Sequence, residues 1–86
     1  MKYIIVADGT GEYTVLFDEL LLHSSVAERW TATGLNVVSA GFCRLEATAE
    51  LDGSVEAFVW GQSVSLGKAS RPADAAIIGE MLRRRI

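Results

Sequence analysis

The chain has 86 residues, half of them hydrophobic, and a formal net charge of −3; its pI is near 5.0 and its mean hydropathy is +0.27. This length supports a single domain, 1–86, with one core. The acidic balance argues against a nucleic-acid partner, because such affinity rests on neutralising phosphates. One Cys and one His can form neither an internal disulfide nor a metal cluster, so no metal or cofactor is expected and a reducing cytoplasm fits.

Tyr3-Ile4-Ile5-Val6-Ala7 is a β-branched run that reads as a first strand buried on both faces. It is too short for a signal-peptide core, and no apolar run approaches the roughly 20 residues that span a membrane. Asp8-Gly9-Thr10-Gly11 reads as a turn. Its glycines would let a phosphate approach the backbone, but a turn between strands needs the same residues. Tyr13–Phe17 then forms a second strand, antiparallel to the first.

Asp18 suits the N-cap of a helix over 18–33, and Ser25-Val26-Ala27-Glu28 has capping-box spacing, which would start a helix at 25 after a short turn. Both starts remain open. Val26, Ala27 and Trp30 share a face, and Gly34 is placed as the stop. His23, the lone imidazole, could act as a base with Asp18 or Glu19, with Cys43 or a serine as nucleophile. Nothing in the sequence brings these groups together, and packing or capping accounts for the histidine.

Residues 35–67 read as one long ribbon folded about Asp52-Gly53, a strong type I′ hairpin signal. A two-residue turn pairs Ala47 with Phe58, Leu45 with Trp60, Cys43 with Gln62 and Ala49 with Glu56. One face then carries Leu45, Ala47, Phe58 and Trp60, and the other carries Glu46, Thr48 and Glu50. Gly41 and Gly61 are candidate bulges or bends. Cys43 is expected to be a buried, inert thiol. The carboxylates Glu46, Glu50 and Glu56 are read as surface charges that discourage edge pairing.

The connector Gly67-Lys68-Ala69-Ser70-Arg71-Pro72 leads from a strand into a helix. Lys68, Ser70 and Arg71 there have the composition of a seat for phosphate or another small anion. The competing reading is a solvated connector in which Ser70 caps the helix. The P-loop spacing fails, since five residues separate Gly61 from Gly67 and Ala69 follows Lys68. Pro72 opens a last helix with an apolar stripe of Ala75, Ile77, Ile78, Met81 and Leu82. Arg83-Arg84-Arg85 suits the negative end of that helix dipole.

The stretch from Gly61-Gln-Ser-Val-Ser-Leu-Gly to Lys-Ala-Ser-Arg-Pro-Ala-Asp74, with Val38-Ser-Ala-Gly-Phe42 before it, resembles segments of small bacterial and prophage-type proteins of unknown function. The resemblance covers about a third of the chain. It implies a bacterial cytoplasmic setting and no particular activity.

The expected architecture is α+β in the order ββαββα: a mainly antiparallel four-stranded sheet with a long β-hairpin and two helices on one face. The hydrophobic ribbon face should meet Trp30 and the Ile77–Met81 stripe. The excess of apolar residues over what one small core can hide points to self-association. The leading expectation is therefore a small non-enzymatic interaction or structural module acting as a homo-oligomer through the ribbon. The alternative is a regulatory domain that binds phosphate or a small anion at 67–72.

Overall fold

The fold was analysed in a computed structural model, which describes residues 1–48 and 55–84. Strands β1 (Lys2–Asp8) and β2 (Gly11–Phe17) precede helix α1 (His23–Thr31). Strands β3 (Asn36–Ala47) and β4 (Val55–Trp60) follow, then the two-residue strands β5 (Gln62–Ser63) and β6 (Lys68–Ala69), and helix α2 (Pro72–Arg84). The main sheet is antiparallel in the order β2-β1-β3-β4, and β5 and β6 form a second, small hairpin. The α+β class and the four-stranded antiparallel sheet are as the sequence predicts.

Central β1 explains the layering. Tyr3, Ile4, Ile5 and Val6 are all buried, and successive side chains point to opposite faces. Tyr3 and Ile5 join Cys43, Ala57 and Ile78 of α2 in one cluster. Ile4 and Val6 join Phe17, Ala40 and Ala27 of α1 in another. The two helices therefore cover opposite faces of the sheet, rather than sharing one. A strand whose interior, Tyr3–Ala7, is apolar at successive positions needs a cover on each side.

Helix α1 starts at His23, after a turn in which Leu20 N–H bonds Asp18 Oδ1 at 2.8 Å. Of the two starts left open by the sequence, the turn followed by a helix is nearer, but Ser25 lies inside the helix and no side chain caps it. Gly34, at φ 92°, supplies the left-handed stop beyond the last turn. Trp30 lies on α1, away from the ribbon face that α2 covers, and remains partly exposed.

The ribbon forms in a different register. Leu45 lies opposite Ala57, Cys43 opposite Val59, Arg44 opposite Phe58 and Phe42 opposite Trp60. This is three residues away from the pairing that a two-residue Asp52-Gly53 turn imposes, and the turn itself lies outside the described residues. An odd shift moves one arm's side chains to the other face. Cys43 and Leu45 accordingly pack with Val59 under α2, while Phe58 and Trp60 share the opposite face with Arg44. Glu46 and Glu56, expected on opposite sides, are direct cross-strand partners.

The second arm ends at Trp60 rather than Gly67. Gly61, at φ 78°, turns the chain out of the ribbon, and the β5–β6 hairpin packs against β3. Gly41 permits this approach, since a Cβ there would stand 2.6 Å from the Trp60 carbonyl oxygen and 3.2 Å from Ser70 Cβ. The bulge in β3 falls elsewhere, opposite the Ile5/Val6 step.

Candidate functional site

The connector into α2 sends its three candidate side chains to three separate places. Lys68 is exposed on β6 and lines a shallow hollow with Ser24, Glu28 and Thr31 of α1. Ser70 does not cap α2. It turns back, and its N–H and Oγ–H both donate to the Gly61 carbonyl at 3.0 Å. Arg71 reaches across the sheet to the Glu12 carboxylate on β2 and binds Asp74 through Nε at 2.9 Å.

Asp74 is the residue that sequence reasoning missed. It sits in the first turn of α2, fully buried. Its carboxylate accepts the Arg71 backbone N–H at 2.9 Å and the Tyr3 hydroxyl at 2.6 Å. The positive end of α2 is thus occupied by the chain's own carboxylate, in the geometry of half a capping box. Burial and then the Asp74 hydrogen bond push the Tyr3 hydroxyl well above the usual phenol range. The Arg71 hydrogen bond holds Glu12 below the usual carboxylate range, and Glu12 in turn raises Arg71. The spacing of Asp74 three residues after Arg71, across Pro72, was the available local signal. Glu12 had none, being 59 residues from Arg71.

At the other sequence-marked positions, structural roles account for the residues. Asp8 Oδ1 accepts Thr10 N–H at 2.7 Å, Thr10 Oγ–H at 2.6 Å and Gly11 N–H at 3.2 Å. These bonds, Thr10's side chain first, lower the Asp8 carboxyl. The Thr10 and Gly11 N–H groups are therefore used internally. His23 is buried, with Nε2 2.9 Å from the Gly41 carbonyl oxygen and its ring edge-on to Phe17 and Phe42. The carboxylates suggested as its partners are engaged elsewhere: Glu19 with the amino terminus and Asp18 with the Leu20 N–H. Cys43 is buried, which raises its thiol pKa and suppresses thiolate chemistry. Among the described residues, no group of three His, Cys, Asp or Glu is arranged to hold a metal ion. No helix among them is long and apolar enough to cross a membrane.

Some of the surface that the fold leaves uncovered is apolar. On the ribbon face opposite α2, Phe42 stacks on Trp60 with ring centroids 6.3 Å apart. The Arg44 guanidinium lies 4.8 Å from the centre of the Phe58 ring. Helix α1 packs on β1 and β3 and leaves this outer part of the ribbon open, with Trp60 49% exposed. Leu20, Leu21 and Leu22 lead into His23, whose ring touches Phe42, and Leu20 is 91% exposed. A separate groove of about 700 Å³ runs beside edge strand β2, lined by Tyr13, Val15, Trp30, Leu35, Ile77 and Met81 among others.

Comparison with known proteins finds no match for this chain among family models, curated proteins or solved structures.

Proposed function

We propose that this chain is a small non-enzymatic interaction module that works as a homo-oligomer in a bacterial cytoplasm, with the outer ribbon as its contact surface. The observation that carries this reading is the aromatic row of half-buried Phe42 and Phe58 with exposed Trp60, which α1 meets only through His23 against Phe42. Partly exposed aromatic side chains beside an open sheet edge are costly to leave in water and are a common basis of association. The exposed leucines at 20–22 extend apolar surface towards it. Buried, free Cys43 suits a reducing compartment.

The anion reading draws less support. Arg71 is already bound by two carboxylates, and Ser70 by a carbonyl. An added anion would have to displace Asp74, a buried internal ligand.

Light scattering on the eluting protein tests the proposal. The unaltered chain should elute at a multiple of its own mass, and Trp60→Glu, at a half-exposed position, should shift it towards monomer. An unchanged mass for the variant would remove the ribbon from the contact.

A further inference from the structure

We infer that the partner on the ribbon is a second copy of this chain, joined edge to edge through β4 in antiparallel register about a two-fold axis at Ala57. This inference rests on the self-association proposed above and names its geometry.

Strand β4 ends the sheet, so one side of its backbone has no strand partner among the described residues. On its open face Glu56 is paired with Glu46, a like-charge cross-strand pair that is unfavourable by itself. Arg44 Nε binds Glu46 at 3.0 Å, and the described ion pairs include none to Glu56. Meanwhile the Arg44 guanidinium leans across the strand pair and lies over Phe58 on β4. It is already displaced towards the open edge.

Antiparallel pairing centred on Ala57 sets Glu56 of each copy beside Phe58 of the other and Val55 beside Val59. Glu56 of the second copy then stands in the same cross-strand row as Phe58 and Arg44, on the same face. The guanidinium over the Phe58 ring bridges its own Glu46 and the incoming carboxylate. Each copy thus supplies a cation to the other's Glu56, the member of the like-charge pair that its own Arg44 does not bind. Ala57, at the axis, faces the α2 side, where it is buried with Ile78. The two sheets become one of eight strands, and Phe58 and Trp60 of both copies form a continuous aromatic strip.

Thiol crosslinking between two single variants reads this register. Glu56→Cys mixed with Phe58→Cys should form a direct disulfide on mild oxidation, giving a species of twice the chain mass in higher yield than either variant alone, whose thiols stand only diagonally across the axis. Cys43 is buried and does not compete. Hydrogen exchange on the unaltered chain guards against a variant that fails to fold. Amides of 55–60 should exchange more slowly at high than at low protein concentration, while those of 11–17 should not change. Self-association with protection at 11–17 instead, or with neither crosslink nor protection at β4, would overturn this geometry and leave the oligomer reading standing. A monomer at every concentration would overturn both.

Discussion

Tyr3 donates a 2.6 Å hydrogen bond to Asp74 across 71 residues of chain, with both side chains fully buried. The contact ties central strand β1 to the first turn of α2, and through Arg71 it continues to Glu12 on β2. It joins three elements and also fills the helix terminus where an anion seat was expected.

Removing the donor tests that link. Tyr3→Phe keeps the ring and leaves a buried carboxylate oxygen short of a partner, so it should cost about 2 kcal/mol in denaturant unfolding. Asp74→Ala should cost more, about 3 kcal/mol. That is the low end for a broken buried pair, because Arg71 retains contact with water.

The same contact sets an alkaline limit. The Tyr3 pKa is raised on folding, so its stabilisation is present below the unfolded phenol value of about 10 and is lost as pH rises above it. Thermal unfolding should show a falling midpoint above about pH 10, with a shallower fall in Tyr3→Phe.

Glu12 has the opposite sign. Its carboxyl is lowered on folding, chiefly by Arg71, so its contribution is present above the unfolded value of about 4.3 and fades as pH falls through the folded one. Glu12→Gln should lower stability modestly in the neutral region and flatten the acid limb, so that the two profiles converge at low pH.

Gly41→Ala tests the close passage of the ribbon and the small hairpin. The added methyl would meet the Trp60 carbonyl oxygen, a backbone atom, at 2.6 Å. A destabilisation of about 1–3 kcal/mol is expected, read as a lower denaturant midpoint.

Cys43 should resist thiol reagents in the native chain. Burial both hides it and disfavours the thiolate. Labelling should follow the unfolding curve; rapid labelling of folded protein would contradict its place beneath α2.

Much of the fold was legible because local chemistry specifies it. The β-branched run at 3–7, the Asp8–Gly11 turn, Gly34 as a stop and Pro72 at a helix start each act over a few residues. The ribbon register was not legible, because the Asp-Gly signal favours a two-residue turn while the arms pair three residues away from it. Burial under α2 selects the face with Cys43, Leu45, Ala57 and Val59, and that selection is tertiary. The placement of the helices on opposite faces was implicit in Tyr3–Val6, where uniform apolarity demands two covers. At the connector, Lys68, Ser70 and Arg71 were correctly placed at a strand-to-helix junction. The partners of Ser70 and Arg71 lie at Gly61, Asp74 and Glu12, and two of these are brought near only by the folded chain.

Sedimentation of the unaltered chain across a dilution series tests the central claim most directly. The account predicts a dimer or larger species at micromolar concentration that dissociates on dilution. A single species at the monomer mass throughout would contradict it.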